Sequence, residues 1–244
     1  MLSKSEAKYI QSLSQKKYRL QENVFVAEGP KIIEEALNNA AVTVKKVFAV
    51  DAWMETHKKY AAKYDMATIT QSELERISQL KTPNQVLALI EMHRNEDFVL
   101  KKEKLALAPD GIQDPGNMGT IIRIADWFGI EQIICSTDCA DIYNSKVVQA
   151  SMGSIFRTRV FYTELASWLA AQTGADIFGA ALQGTPLKSY KKIQRGILVI
   201  GNESKGIRQD VMQQVHQKIT IEKVGQAESL NAAVATGIIL SHIV

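Results

Sequence analysis

Apolar, strand-like segments alternate with helical segments through the second part of this chain, from Leu105 to Ser241. The segments LALAPD, QIICS, TRVFY, DIFGAAL, GILVIGN and KITIEK are short and largely apolar. Strands of this kind are typical of a parallel sheet that helices cover on both faces, because such a sheet exposes neither face to water. We therefore predict an α/β fold with a mostly parallel sheet over residues 105–244.

A smaller α/β domain is predicted over residues 21–92, where strand-like and helical segments also alternate. Pro30 is expected to open one of its helices, since proline has no N–H to lose in the first helical turn. Thr70 and Glu73 have the spacing of a capping box, which predicts the start of another helix.

The segment HRNEDFVLKKEK is densely charged and has little periodicity, which favours a linker between the two domains. Before the smaller domain, the spacing of Ile10 and Leu13 predicts one amphipathic helix from Ser3 to about Leu20. The predicted divisions are a basic N-terminal helical arm over 1–20, the smaller α/β domain over 21–92, a linker over 93–104 and a second domain over 105–244.

Positive charge is concentrated near the N-terminus. The formal net charge is +3, and the whole excess lies before Leu105. The first twenty residues carry Lys4, Lys8, Lys16, Lys17 and Arg19 against Glu6. A basic arm fits contact with a nucleic-acid phosphate backbone, but a solvated charged helix face explains the same residues equally well.

Several classes of protein are disfavoured. No apolar run approaches the roughly 18 residues that a membrane helix needs, and the N-terminus lacks the apolar core of a signal peptide. We therefore expect a cytoplasmic protein with no membrane partner. Cys135 and Cys139 are the only cysteines and have no neighbouring histidine, so no metal site is expected.

Polar loops follow three of the predicted strands, where open α/β sheets bind ligands. The first, DGIQDPGNMGTIIRIADWFG, contains Asn117 and Arg123, six residues apart. They share one helical face only if Asn117 lies in the loop before the helix. Pro115 and Gly116 favour that placement, so we expect the helix to run from Gly119 to Phe128.

The second loop, GNESKG, has glycines spaced as in a phosphate-binding loop. Ile207 and Arg208, however, stand where such a loop requires Lys and Ser or Thr, which argues against nucleoside triphosphate binding. Glu203 in this loop is open to two interpretations. It is either an exposed turn or helix-start carboxylate, or a functional acid.

The third loop begins GQAESLNAAVATGIILS, in which Glu228, Ser229 and Asn231 precede a helix of small apolar residues. Capping of that helix would by itself explain Ser229 and Asn231. Because three such loops follow strands of one predicted sheet, we interpret them together as one functional site.

Three stretches, DPGNMGTIIRIADWFG, LVIGNESKGI and ESLNAAVATGIIL, occur in that order and resemble the motifs of the SpoU (TrmH) family of RNA 2′-O-ribose methyltransferases, within the SPOUT class. The N-terminal part resembles, less distinctively, that family's substrate-binding domain, which is similar to a ribosomal-protein-type RNA-binding fold. The resemblance implies methyl transfer from S-adenosylmethionine to a ribose 2′-hydroxyl. It also implies a trefoil knot in the C-terminal domain and a homodimer.

The resemblance also implies which residues form the site. The implied catalytic set is Arg123, Asn117, Glu203, Ser229 and Asn231. The implied cofactor pocket comprises Leu182, Gly184, Ile200, Gly201, Ile219, Ile221 and Leu230. Arg123 would act as the base, with Asn117 orienting it. A guanidinium normally stays protonated, so bidentate binding of a phosphate is the alternative role for Arg123.

The RNA target is not readable from the residues. The additional N-terminal domain favours ribosomal RNA as the partner, with transfer RNA as the alternative. A non-catalytic RNA-binding module is a further alternative, but such a module has no evident need for the complete polar set.

Overall fold

The computed structural model describes residues 2–93 and 98–244, so the predicted linker over 93–104 lies partly outside the described residues. The chain divides into two compact units. One comprises Met1–Arg94 with Tyr143–Phe156, and the other comprises Asn95–Ile142 with Arg157–Val244. No helix within the described ranges is long and apolar enough to cross a bilayer.

The first unit is built on a four-stranded mixed sheet of order β1-β4-β2-β3, in which β4 is antiparallel to both neighbours and β2 is parallel to β3. Its elements are α1 (Lys4–Ser12), α2 (Lys16–Glu22), β1 (Val24–Glu28), α3 (Pro30–Asn38), β2 (Val44–Ala49), α4 (Asp51–Thr56), β3 (Met66–Thr68), α5 (Gln71–Ile77) and β4 (Val86–Glu91), with a 3-10 turn at Lys58–Tyr60. Pro30 opens α3, and Thr70 with Glu73 forms the predicted capping box of α5.

The N-terminal region forms two helices, where the spacing predicted one from Ser3 to Leu20. The prediction was wrong at the boundary between α1 and α2, where Ser12 Oγ donates to Tyr9 O and Ser14 Oγ donates to Gln11 O, each at 2.7 Å. Serine hydroxyls that bond to the backbone in this way compete with continued helix. The apolar residues of the region belong to the core of the first unit: Ala7, Ile10 and Leu13 are fully buried in one cluster with Phe48 and Leu74.

A capping box holds the start of α1. Ser3 Oγ accepts from the Glu6 N–H at 3.1 Å, and the Glu6 carboxylate accepts from Ser3 and from Lys46 Nζ at 3.0 Å. These hydrogen bonds, from Ser3 first and Lys46 second, lower the pKa of Glu6 to about 2. The Glu6 side chain is 38% exposed, so solvent screening limits the contribution of its charge to stability.

We expect Glu6→Gln to reduce the free energy of unfolding by up to about 1 kcal/mol at neutral pH, because the amide lacks the charge that attracts Lys46 and exposed pairs of this kind contribute about 0.2–1 kcal/mol. The pKa is lower in the folded state than its ordinary value of 4.5. The stabilisation is therefore complete above the ordinary value and is lost as the pH falls towards about 2. Urea unfolding at neutral pH and near pH 2 measures this, with Glu22→Gln as the control for an exposed carboxylate outside the box. An equal loss of unfolding free energy at both pH values would contradict this pH dependence.

The second unit is built on a six-stranded sheet of order β10-β8-β9-β5-β6-β7, and every pair in it is parallel. The predicted mostly parallel sheet is thus confirmed. Its elements are β5 (Leu105–Asp110), α6 (Pro115–Trp127), β6 (Gln132–Ser136), β7 (Arg159–Thr163), α8 (Leu165–Ala170), β8 (Ile177–Pro186), β9 (Gly196–Gly201), α9 (Gln209–Met212), β10 (Gln217–Thr220) and α10 (Ala232–Ile243), while α7 (Ser145–Ser151) lies between β6 and β7 in sequence.

The segment carrying α7 packs within the first unit, although it falls inside the range 105–244 assigned to the second domain from sequence. The rings of Tyr143 and Phe25 lie 4.7 Å apart between centroids. Gln149 Nε2 donates to Glu28 O at 2.8 Å, and Asn39 donates to the carbonyl that ends the segment. These partners are far apart in sequence, so local sequence patterns cannot show that this segment packs with the first unit.

Helices pack differently on the two sides of the second unit. Ala106, Ala108, Ile197 and Val199 of the central strands form a buried cluster with residues of α8 and α9. Helices α6 and α10 pack together, and α10 also contacts β9. The carboxyl ends of β5 and β9 lie side by side, with Asp110 paired to Gly201.

Candidate active site

Helix α6 begins earlier than the sequence predicted. Asp114 Oδ1 accepts from the Asn117 N–H at 2.8 Å, and Pro115 occupies the first helical position. Since proline presets the helical φ and the aspartate caps the free N–H groups, Asn117 is the third residue of the helix. The expectation that Asn117 lies in the preceding loop is wrong. Six helical residues separate it from Arg123 by about 9 Å along the axis and about 120° around it.

A chain of hydrogen bonds joins the three polar loops. Asn117 Nδ2 donates to Glu203 Oε1, and Asn231 Nδ2 donates to Asn117 Oδ1 at 2.7 Å. Asn231 Oδ1 accepts from the N–H groups of Ala233 and Val234, so it also caps α10. Capping and the polar site are therefore two functions of one side chain. The chain fixes the orientation of the Asn117 amide and leaves one of its N–H groups for a ligand.

Two members of the implied catalytic set lie outside this chain of bonds. Arg123 is exposed on α6, and Ser229 is exposed in the loop before α10. Within residues 2–93 and 98–244, neither makes a hydrogen bond or an ion pair through its side chain. The structure thus brings together Asn117, Glu203 and Asn231, and does not join Arg123 or Ser229 to them.

A cavity of about 940 Å³ opens beside these loops. Six of the seven residues implied for the cofactor line it, namely Leu182, Ile200, Gly201, Ile219, Ile221 and Leu230, together with Glu203 and Ser229. Gly184 is not among the lining residues. A Cβ there would lie 2.5 Å from Lys218 O, so this glycine allows β8 to approach β10 closely.

Several lining residues were missed from the sequence. Ala180 and Ala181 directly precede Leu182 in β8, and Met212 and Ala235 lie on α9 and α10. The two alanines could have been inferred from the predicted strand DIFGAAL, because they lie near its end and a parallel sheet binds ligands at the carboxyl ends of its strands. No local signal marks Met212 or Ala235, because each is an apolar helix residue like many others.

The loop after β9 folds back tightly on itself. Asn202 and Gly206 exchange two backbone hydrogen bonds, of 3.1 and 2.8 Å. A Cβ at Gly201 would lie 2.3 Å from both Gly206 C and Ile207 N, a distance at which the backbone would have to move. Only glycine fits at Gly201, which borders the cavity.

The cavity fits the S-adenosylmethionine implied by the sequence. Its volume is within the range of roughly 300–1,000 Å³ typical of small-molecule sites, which combine apolar walls with a few polar groups. The exposed apolar side chains of Leu182 and Leu230 suit a flat adenine. Glu203 and Glu228, also in the lining, suit the positive charge of a sulfonium.

Comparison with known proteins covers both units of the chain. The family model described as the SpoU rRNA Methylase family matches residues 104–241. The model described as an MRM3-like substrate binding domain matches residues 4–88.

Individual relatives match almost end to end. The 23S rRNA (guanosine(2553)-2′-O)-methyltransferase RlmP of Bacillus subtilis is 30% identical over 236 residues, which are 95% of this chain and 92% of the relative. A TrmH-family protein from Porphyromonas gingivalis has a similar structure, with a TM-score of 0.86, 34% identity and coverage of 99% and 97%. The structure of an AdoMet-bound rRNA methyltransferase from Sinorhizobium meliloti matches with a TM-score of 0.84, 28% identity and coverage of 98% and 95%.

Proposed function

This chain belongs to the SpoU rRNA methylase family, and from that premise we propose that it transfers a methyl group from S-adenosylmethionine to a ribose 2′-hydroxyl of ribosomal RNA. The observation that carries the proposal is the hydrogen-bonded chain Glu203–Asn117–Asn231 beside a cavity that fits the cofactor. A module that only binds RNA has no evident need for either feature.

The chemistry divides between the cofactor and the chain. When bound, S-adenosylmethionine supplies an electrophilic methyl group on a positively charged sulfur. Asn117, held on both sides of its amide, orients the ribose through its remaining N–H group. Glu203 lines the cavity and would favour the positive charge of a bound cofactor, and its Oε2 atom accepts no hydrogen bond from the described residues. Positioning of this kind supplies up to roughly 7–11 kcal/mol of a barrier.

A ligand-binding measurement tests the enzyme against the RNA-binding module. Because a ligand that binds only the folded state stabilises it, S-adenosylmethionine at about 100 times its Kd should add about 2.7 kcal/mol to the free energy of unfolding. Thermal unfolding with and without the cofactor, or its demethylated product, measures this. No shift at saturating ligand would contradict methyl transfer and favour the module.

Ribosomal RNA is proposed as the substrate over transfer RNA. The Bacillus subtilis relative is named for a 23S rRNA nucleotide, and the N-terminal unit matches a substrate-binding model. That unit exposes Lys4, Lys8 and Lys16, none of which has an ion pair among the described residues, so they are available for phosphates. Mapping ribose methylation in total RNA from cells with and without the gene should show one mark lost from ribosomal RNA. A loss confined to transfer RNA would overturn this choice.

We also propose that the protein is a homodimer formed through α6 and α10. Trp127 of α6 is 83% exposed, and Val234 and Ile238 of α10 are 50% and 37% exposed. Large apolar side chains on two adjacent helices are typical of a protein interface. Arg123 precedes Trp127 by one helical turn and so lies on the same side of α6. We further propose that dimerisation brings Arg123 to the site of the partner subunit, where its guanidinium would bind an RNA phosphate.

Arg123→Ala is expected to abolish methylation while changing the Kd for S-adenosylmethionine by no more than about threefold, since Arg123 does not line the cavity. Co-expressing it with Asn117→Ala tests its action on the partner. In a closed two-fold dimer, about half of the dimers would contain one subunit of each variant. Each of these dimers would have one intact site out of two, so about a quarter of the wild-type activity should return.

Arg195→Ala is the control for that experiment, because it removes an exposed arginine just before β9, at the opposite end of the strand from the site. It should leave activity unchanged. Activity of the co-expressed pair no higher than the sum of the two variants would contradict action across subunits.

The trefoil knot is proposed on the packing of the C-terminus. The segment between β8 and β9 lies against the end of α10, where the Ile193 N–H donates to Ile243 O at 2.7 Å and Lys192 Nζ donates to Val244 O at 2.5 Å. A contact between this segment and the end of the last helix is consistent with a knot in which that helix passes through a loop of the chain. The cytoplasmic location expected from the sequence stays a prediction.

A further inference from the structure

Arg208 lies outside both the hydrogen-bonded chain Glu203–Asn117–Asn231 and the cavity lining. It stands directly after the GNESKG loop, at the position where a phosphate-binding loop would have Ser or Thr. Its guanidinium bonds to Asp110, the last residue of β5, with Nε to Oδ1 at 2.8 Å and Nη2 to Oδ1 at 2.7 Å. Its backbone N–H donates to Asp110 Oδ2 at 2.8 Å. One residue therefore satisfies both oxygens of a carboxylate that is buried.

The Asp110 carboxylate depends on this pair. Asp110 is 1% exposed, and a buried charge left without its partner is strongly destabilising. Burial acts to lower the pKa of Arg208, but the hydrogen bond and charge of Asp110, aided by Asp138, outweigh it and raise the pKa. Hydrogen bonds between a guanidinium and a carboxylate in this geometry are among the stronger and more directional ones.

The pair closes the loop that carries Glu203. At the start of the loop, Gly201 packs against its returning backbone. In the middle, Asn202 Nδ2 donates to Gly111 O at 2.8 Å, and at the end Arg208 bonds to Asp110. Glu203 lies between these attachments, and the last two join the loop to the end of β5 and hence to the helix that presents Asn117.

The attachment extends to the neighbouring strand β6. Arg208 Nη1 lies 3.8 Å from Asp138 Oδ1, which accepts from Ser136 Oγ at 2.6 Å. Ser136 Oγ in turn accepts from the Gly111 N–H at 2.8 Å. The guanidinium thus connects the ends of β5 and β6 to the Glu203 loop through one polar network.

We propose that Asp110 and Arg208 are positioning residues for methyl transfer, whose salt bridge holds the loop so that Glu203 meets the Asn117 amide. The proposal rests on the proposed function. Without the guanidinium, the loop loses one of its attachments and Glu203 is displaced. Displacements on the order of 1 Å at a catalytic group cost about 100-fold in rate. The apolar walls formed by Leu182 and Ile219 remain, and RNA binding should change far less.

The test uses Arg208→Gly in the full-length protein, because this variant removes the guanidinium and keeps the backbone N–H that bonds to Asp110. We expect kcat to fall by about 10- to 100-fold, while KM for RNA stays within about threefold, measured well below the unfolding midpoint. Ethylguanidinium ions should raise the kcat of this variant at least about fivefold, because they can occupy the space between Asp110 and Asp138. Sodium chloride at the same ionic strength should not raise it.

Two comparisons make the test specific. Glu203→Gln should lose activity that ethylguanidinium does not restore, and Arg195→Gly should behave as wild type with and without it. If Arg208→Gly does not fold, Asp110→Asn replaces it. That variant keeps the shape and loses the charge, and it should show the same fall in kcat with an unchanged KM for RNA.

The outcomes separate the two hypotheses. A wild-type protein that transfers no methyl group would overturn the proposed function. A wild-type protein that methylates RNA alongside an Arg208→Gly variant of equal kcat would overturn only the positioning role. The positioning role would also be overturned if ethylguanidinium did not restore the rate and the variant had a lower unfolding midpoint. That result would show that the salt bridge only stabilises the fold.

Discussion

Gly201→Val is expected to weaken S-adenosylmethionine binding by about 10- to 100-fold. A Cβ at this position would lie 2.3 Å from two backbone atoms of the returning loop, and backbone cannot rotate away as a flexible side chain can. Overpacking of this kind costs about 1–3 kcal/mol and occasionally more, and about 1.4 kcal/mol corresponds to tenfold in affinity. Gly201→Ala should show most of the loss, because the first carbon already produces the clash.

Titration calorimetry measures this effect, and the chain offers a matched control. Gly225 also lines the cavity, but a Cβ there would meet nothing within 4 Å. Gly225→Ala should therefore bind the cofactor as the wild type does. Normal binding by Gly201→Val would show that the cavity is not the cofactor site. Equal losses in both glycine variants would show that any change in these loops weakens binding, so the close backbone approach at Gly201 would have no special role.

Asn117→Ala is expected to lower kcat by about 100- to 1,000-fold, the usual loss when one preorganised hydrogen-bond donor is removed from a reacting centre. Asn117 bonds to both Glu203 and Asn231, so the alanine variant leaves the loops that carry those two residues without a connection. Cofactor affinity should stay within a few fold, because the side chain lies outside the cavity lining.

Methyl transfer at saturating RNA and cofactor measures the effect of Asn117→Ala. Thr120→Ala on the same helix is the control, because its hydroxyl is exposed and, among the described residues, bonds only to Gly116 O, at 2.8 Å. It should retain wild-type kcat. A near-normal kcat for Asn117→Ala would contradict the proposal that methyl transfer takes place beside Glu203, Asn117 and Asn231. An equal loss in Thr120→Ala would trace the effect to the helix itself.

Most elements of the fold could be predicted from local pattern. The apolar segments of the second unit became the strands of a parallel sheet, because an uninterrupted apolar run is compatible with a strand buried on both faces. Boundaries were less predictable where side chains compete with the backbone. The break between α1 and α2 depends on two serine hydroxyls, and the early start of α6 depends on the Asp114 cap.

The candidate site was only partly predictable. The polar loops after β5 and β9 and before α10 were selected because ligands bind at the carboxyl ends of parallel strands, and the resemblance supplied the residue types. The structure joins Asn117, Glu203 and Asn231 by hydrogen bonds. It places Arg123 about a third of a turn away from Asn117 around α6, so the predicted pairing of these two on one face does not occur within one chain.

By itself, the sequence determined the parallel sheet, the position of the polar loops and, through three motifs, the family. Only the tertiary structure decided that Tyr143–Phe156 packs with the first unit, that Asn117 bonds to Glu203, and that Arg208 closes the loop onto Asp110. The physical reason is that the pattern of apolar and polar residues in a short stretch indicates only which side chains face the core and which face water. A contact between residues 98 positions apart, as between Asp110 and Arg208, depends on the packing of every element between them.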